Sequence, residues 1–157
     1  SVLDNVLLGR VSTNVAEGSE RVDEAIKALL EEMGLTDDIF HIGLDFNIGT
    51  GGKRLSEIQR QKLHLARALL KKPDFLIVNR ALNSLDSRSQ RSIIETFLER
   101  AKNTHGHPCG VIWVPINPKM SMLFDRVLLF SDGELVADGP PEEMSKSETR
   151  YQELLNV

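Results

Sequence analysis

The residues most able to do chemistry lie near the middle of the chain, where a capped helix leads through a short apolar strand into a polar loop. The strand is Phe75–Val78, and the loop ends in Ser84-Leu85-Asp86. This layout is typical of sites that handle phosphate groups. A hydrolase of this kind needs acids at the end of the strand, to hold a metal ion and to draw a proton from water. The chain instead carries Asn79 and Arg80 there, so the sequence predicts the layout without the residues for hydrolysis.

The composition indicates a soluble, folded domain or a fragment of a larger one. Of 157 residues, 41% are hydrophobic and 27% are charged, which suits a packed core and a polar surface. The net charge of −4 and the few aromatic residues argue against nucleic acid as a partner, so we interpret the basic residues near position 60 as a solvated helix face. No apolar run approaches the ~18 residues of a spanning helix, and no signal-peptide pattern opens the chain.

Cys109 is the sole cysteine, so the chain cannot form an internal disulfide. A reducing, cytosolic setting fits this composition best. We interpret Cys109 as a small buried or half-buried filler rather than as a catalytic thiol.

Hydrophobic periodicity predicts an alternation of helices and strands. The predicted helices are Ser19–Met33, Ser56 to about Leu70, Ser87–Lys102, and one helix from Pro140 through Leu155. The predicted strands are Phe75–Val78, Val111–Val114, and a hairpin of Arg126–Phe130 with Glu134–Ala137 around a Ser-Asp-Gly turn. We expect the first two strands to be buried in a parallel sheet, Phe75–Val78 on both faces. The inner stripes are predicted to contain Ile58, Lys62, Leu65, Ala66 and Leu69 in the second helix, and Ile93, Ile94, Phe97, Leu98 and Ala101 in the third.

The order of these elements predicts two parts. Residues 71–157 run strand, helix, strand and hairpin, which indicates the α/β class. Residues 1–70 are expected to form a helical subdomain that includes the Ser56 helix.

Five motifs, in this order and spacing, resemble the ATP-binding cassette (ABC) domain of export-type membrane transporters. They are VLDNVLLG at 2–9, LSEIQ at 55–59 followed by RQKLHLARALL, FLIVNR at 75–80, SLD at 84–86, and SDGELVADGPPEEM at 131–144. The resemblance implies a partial RecA-like P-loop NTPase fold with an N-terminal helical subdomain. It also implies ATP held between this domain and a second nucleotide-binding domain, and a transmembrane domain as partner at the cytoplasmic face of the membrane.

The family's phosphate-binding motif, G-x-x-x-x-G-K-[ST], is absent from the sequence. The resemblance places it before Ser1, so we expect the chain to be the back part of such a domain, and its abrupt start to be an artificial or a cleavage boundary. We expect the Phe75–Val78 strand then to lack sheet neighbours. Its exposed edges would favour self-association or a rearranged sheet.

The resemblance makes the polar replacements at the strand end informative. Asn79 stands where the family has the Asp that helps to hold magnesium, and Arg80 stands where it has the Glu that polarises water. An amide lacks the charge that a hard dication prefers, and a guanidinium is no base near neutral pH. Loss of such a base typically costs ~10²- to 10⁴-fold in rate. We expect magnesium to be repelled, since one pair of unit charges ~4 Å apart is worth ~4 kcal/mol at an effective dielectric of ~20.

The remaining motif positions also depart from the family pattern. By its distance from Asp125-Arg126, Ile116 stands at the switch position, usually His; a shift of one residue would place Asn117 there, which donates a hydrogen bond but does not titrate. None of His41, His64, His105 and His107 falls at that position, and we assign them to surface or core packing.

The motif LSEIQ replaces the usual LSGGQ, so Glu57 adds a negative charge and Ile58 adds bulk. Ser56, Glu57 and Gln59 are candidates for contact with a partner's nucleotide. A capping box of Ser56 and Gln59 explains the motif equally simply, and we favour it. Asp86 is balanced between capping the next helix and contacting a partner domain.

Two functional hypotheses follow. The first is an ABC-type nucleotide-binding domain with weak or no hydrolysis at its own site, which pairs with a competent domain. The second is a non-catalytic scaffold, dimerisation or regulatory module derived from an ABC ATPase.

Overall fold

A computed structural model describes residues 24, 26–28, 31, 47–71, 73–103 and 108–156 of the chain. Within the predicted helix Ser19–Met33, the described residues are helical, and Ile26 is fully buried. The motif at 2–9 and the histidines His41, His105 and His107 lie outside the described residues. Residues 47–52 contain a 3-10 turn at Thr50–Gly52.

The elements alternate as the sequence predicts. The helices are α1 (Glu57–Leu70), α2 (Ser87–Lys102), α3 (Pro141–Ser147) and α4 (Thr149–Leu155), with a 3-10 helix at Pro118–Leu123. The strands are β1 (Phe75–Asn79), β2 (Gly110–Val114), β3 (Val127–Ser131) and β4 (Glu134–Gly139).

The strands form two separate two-stranded sheets. β1 and β2 are parallel, with Val78 opposite Trp113 and Asn79 opposite Val114, and α2 makes the crossover between them. β3 and β4 form the predicted antiparallel hairpin. Its turn contains Asp132 and Gly133 with φ of 54° and 84°, the left-handed values that a tight hairpin turn requires.

One hydrophobic core joins the helices to one face of the β1–β2 sheet. From α1 it takes Leu65, Ala66 and Leu69 as predicted, together with Leu63, while Ile58 and Lys62 are half-buried. From α2 it takes Ile94, Phe97 and Ala101, with Ile93 and Leu98 packed against it. Val78 of β1 and Trp113 of β2 face these helices, and Trp113 meets Phe97 edge-on at 5.6 Å between ring centroids. The core thus contains residues from both sides of position 70, and the division into two parts there stays a prediction.

The prediction that β1 is buried on both faces is wrong. Phe75 and Ile77 are each 73% exposed, and Ile112 and Val114 on β2 extend the same exposed face. The reason is that α1 and α2 lie on the opposite face, and the described part of the chain supplies no element to cover this one. The Phe75 ring fills the space beside Gly110, where a Cβ atom would lie 2.5 Å from the ring.

The expectation that β1 lacks sheet neighbours is also wrong, since β2 pairs with it along its whole length. The sheet that they form is intact and parallel. Within the described residues it has two strands, so each strand keeps one unpaired edge.

The predicted single C-terminal helix is two helices. Glu148 interrupts it with an extended backbone (φ −105°, ψ 105°) between α3 and α4. The break directs Tyr151 toward the 3-10 helix, where its hydroxyl lies 2.6 Å from Ser121 Oγ. Met144 of α3 and Tyr151 of α4 are both buried, so each short helix has its own apolar anchor.

Candidate functional site

The N-terminus of α1 carries the capping box that its sequence predicts. Ser56 Oγ accepts a hydrogen bond from the Gln59 backbone N–H at 3.1 Å, and Gln59 Oε1 accepts one from the Ser56 N–H at 2.8 Å. Both side chains are therefore engaged at the helix end. Glu57 lies in the first turn, where the helix dipole favours a carboxylate.

The end of β1 presents Asn79 and Arg80 to solvent. Arg80 has a φ of 50°, a left-handed value that is costly for a residue with a side chain, and its N–H donates to the Val114 carbonyl at 2.9 Å. The hydrogen bond continues the β1–β2 pairing by one residue. The backbone at the strand end is thus fixed, and it carries an amide and a guanidinium side chain.

This strand end does not suit a magnesium ion. Asn79 offers one neutral oxygen and Arg80 offers only donors, whereas Mg²⁺ takes oxygen ligands that include carboxylates. Across the described residues, no group of three His, Cys, Asp or Glu side chains is placed to hold a metal ion. We therefore derive no chemical step through a metal at this position.

Asp86 caps α2. Its Oδ1 accepts hydrogen bonds from the backbone N–H groups of Arg88 and Ser89, both at 3.0 Å, and its Oδ2 accepts one from Ser89 Oγ at 2.6 Å. The Ser89 hydroxyl, followed by the Ser89 backbone N–H, holds the pKa of Asp86 below its ordinary value. Of the two roles considered for Asp86, the structure shows the cap; contact with a partner domain stays a prediction.

The two candidates for the switch position lie just after β2 and differ in their contacts. Ile116 is 40% exposed. Asn117 caps the 3-10 helix by accepting from the Lys119 N–H, and its Nδ2 donates to Ser87 Oγ at 3.0 Å. The structure therefore joins Asn117, three residues after β2, to the start of α2, next to Asp86.

Two glutamines that sequence reasoning missed hold the β1–α2 loop (residues 80–86). Gln61 of α1 accepts a hydrogen bond from the Leu82 N–H at 2.6 Å, and Gln90 of α2 donates to the carbonyls of Leu82 and Leu85 at 3.0 and 2.9 Å. Gln90 is buried. Its position four residues before Ile94, on the apolar stripe of α2, is the signal that could have identified it.

His64, the histidine that the structure describes, and Cys109 make none of the hydrogen bonds described above for the helix caps and the β1–α2 loop. His64 is exposed on α1, and partial burial, together with Arg67 and Arg60, lowers its pKa. Cys109 is buried, which confirms its predicted role as filler, and burial together with Asp74 raises the pKa of its thiol. Its thiolate, the reactive form, is thus disfavoured.

Within the described parts of the chain, no helix is both long and apolar enough to cross a bilayer.

Comparisons with known proteins confirm the resemblance found in the sequence. The chain is 32% identical over 151 residues to the ATP-dependent lipid A-core flippase of Burkholderia orbicola, and 29% identical over 161 residues to the ABC-type transporter MDR1 of Aureobasidium melanogenum. These alignments include 94% and 100% of the chain but 24% and 11% of the relatives' lengths. No family model matches the chain.

A solved structure of a bacterial Atm1-family ABC exporter with ATP bound has the same fold, with a TM-score of 0.76 at 22% sequence identity. The match covers 99% of this chain and 26% of the exporter chain. The predicted α/β class is confirmed. The chain is homologous to ABC transport proteins over nearly its whole length and spans about a quarter or less of theirs.

Proposed function

We propose that the chain is the C-terminal part of the nucleotide-binding domain of an export-type ABC transporter, with weak or no ATP hydrolysis at its own site. In this proposal, a second nucleotide-binding domain and a transmembrane domain are its partners, and it lies at the cytoplasmic face of the membrane. The homology to an ATP-dependent flippase and to an ABC-type transporter supports the class.

The observation that carries the proposed loss of hydrolysis is the end of β1. Asn79 and Arg80 occupy the two positions where the family resemblance implies a metal-binding Asp and a water-polarising Glu. Both side chains are exposed, and the backbone beneath them is hydrogen-bonded to β2, so the strand end is ordered and yet lacks acids. Ile116 adds an apolar side chain at the switch position.

The N-terminus of α1 is the proposed contact with a partner's nucleotide, and Asp86, just before α2, is the proposed contact with a partner domain. Ser56 keeps a hydroxyl at a helix N-terminus, where backbone N–H groups and the helix dipole favour an anion. Glu57 places a carboxylate beside it, and Gln59 is held in the capping box. Such a site would bind a partner's ATP more weakly than one with glycines, because the carboxylate repels phosphate. Asp86 is exposed and would contact the partner domain.

The proposal is tested on the purified full-length protein, with radiolabelled ATP binding and phosphate release measured in parallel in magnesium-containing buffer. We expect binding with turnover at least ~10²-fold below that of an intact export ATPase, since the general base is absent. Brisk turnover by a homodimer of this protein would contradict the proposal. An absence of any ATP binding would instead favour the second hypothesis, a scaffold or regulatory module.

A further inference from the structure

We infer that Gln61 is a positioning residue that ties the N-terminal turn of α1 to the β1–α2 loop, so that the two shift together. This inference rests on the proposed function in one respect: Ser56 and Asp86, which it would position, are the proposed contacts with a partner's nucleotide and domain.

Gln61 makes hydrogen bonds in three directions. Its Oε1 accepts from the Leu82 N–H at 2.6 Å, and its Nε2 donates to Asn83 Oδ1 at 3.0 Å and to Glu57 Oε1 at 3.1 Å. Glu57 lies one helical turn before Gln61, whereas Leu82 and Asn83 lie 21 and 22 residues after it. One amide group thus connects the first turn of α1 to a loop that follows β1.

The loop depends on this support. Leu82 has a φ of 64° and Arg80 a φ of 50°, so two residues with side chains hold left-handed conformations that cost free energy unless their surroundings fix them. The side chain of Leu82 is 1% exposed, which anchors it in the core. Its N–H is taken by Gln61 and its carbonyl by Gln90, so side chains from two helices hold its backbone.

Glu57 makes the connection specific to this chain. It stands where the family motif has a glycine, which has no side chain to offer Gln61. Here its carboxylate accepts from Gln61 in the turn that Ser56 caps. A polyanion that approached Ser56 would repel this carboxylate, and a shift of Glu57 would be passed through Gln61 to Leu82 and Asn83. These two residues lie within the β1–α2 loop, which ends at Asp86, the cap of α2.

The direct test is amide hydrogen exchange of the chain, measured by NMR without any nucleotide. The Gln61→Leu variant removes the acceptor and both donors, and we expect the Leu82 amide to exchange about 3- to 10-fold faster, as for the loss of one hydrogen bond. His64→Gln, an exposed change on the same helix, is the matched control and should leave that amide unchanged. Unaltered Leu82 exchange in Gln61→Leu would overturn the inference.

A double-mutant cycle separates coupling from simple support of the loop. Ser56→Ala weakens the cap of α1, and we expect it to speed the exchange of Leu82 and Asn83 when Gln61 is present. In the Gln61→Leu background, the same change should have no further effect on the loop. Independent, additive effects would show that the two segments do not shift together, and would overturn the inference.

A third variant covers the case in which Gln61→Leu does not fold. Gln61→Glu keeps an acceptor for the Leu82 N–H but loses the donors to Asn83 and Glu57 above the carboxylate pKa. We expect Leu82 to remain protected near neutral pH while its response to Ser56→Ala disappears; a retained response would overturn the coupling. Because none of these measurements involves ATP, their failure is distinguishable from failure of the proposed function.

Discussion

At the scale of single residues, the end of β1 combines a left-handed backbone at Arg80, held by its hydrogen bond to the Val114 carbonyl, with an amide and a guanidinium side chain. The replacement of acids by Asn79 and Arg80 follows from residue order alone. The left-handed backbone of Arg80 does not, because arginine has no preference for it and the Val114 carbonyl that accepts its N–H lies 34 positions away. Gln61 was missed for the same reason: its partners Leu82 and Asn83 become neighbours only after α1 and β1 pack.

Arg80→Glu alone is expected not to restore hydrolysis. The change returns a potential base, but Asn79 still lacks the charge for a magnesium ion and Ile116 still offers no hydrogen bond to a phosphate. Phosphate release by the full-length protein should stay within a few-fold of the parent, with Arg80→Ala as the control that removes the guanidinium without adding an acid. Appreciable rescue by the glutamate would show that Arg80 was the sole block.

At the scale of elements, the helix caps and the hydrophobic periodicity of the helices were predictable from the sequence. Which faces of the strands are covered was not. The Ser56–Gln59 box and the Asp86 cap are local, so a four-residue pattern suffices to find them. The break at Glu148 accompanies a distant contact, between Tyr151 and Ser121, which no local pattern encodes. The apolar run of β1 is compatible with burial on one face or two, and only the packing of the helices decides between them.

The cap of α2 should make stability depend on pH in an assignable way. The hydrogen bonds to Asp86 hold its folded-state pKa below the ordinary value of 3.8, so its contribution is present above that value and is lost as pH falls through the lower folded-state pKa. Asp86→Ala should lower Tm by a few degrees near neutral pH, and the difference from the parent should shrink as the pH drops below about 4. Thermal unfolding followed by circular dichroism checks this.

Ser92→Ala, an exposed change in the middle of α2, is the control for the cap. Its difference in Tm from the parent should not vary with pH. If the difference in Tm between Asp86→Ala and the parent stayed constant down to strongly acid pH, the carboxylate charge would contribute nothing to the cap.

At the scale of the whole molecule, the most prominent feature is an apolar sheet face left open to water. Phe75 and Ile77 of β1 and Ile112 and Val114 of β2 project from the same side and are between 47% and 73% exposed. Exposed apolar patches of this kind mark interaction surfaces. The strand–helix–strand order is compatible with the parallel β1–β2 pairing, but we expected β1 to lack sheet neighbours, and the open face was not predicted either.

The chain by itself is therefore expected to self-associate through this face. Burial of each large apolar side chain contributes about 1.5–3 kcal/mol. Within the described residues, β1 and β2 each have an unpaired edge, which offers backbone groups for further pairing. Replacing Ile77 by Lys and Ile112 by Glu, which are directly opposite each other and of opposite charge, should shift the chain toward monomer without splitting the sheet. Leu154→Lys, which replaces an exposed apolar residue on α4 rather than on the sheet, is the control and should not change the extent of self-association. Light scattering over a range of concentrations gives the mass of each variant, and a monodisperse monomer for the unmodified chain would rule the association out.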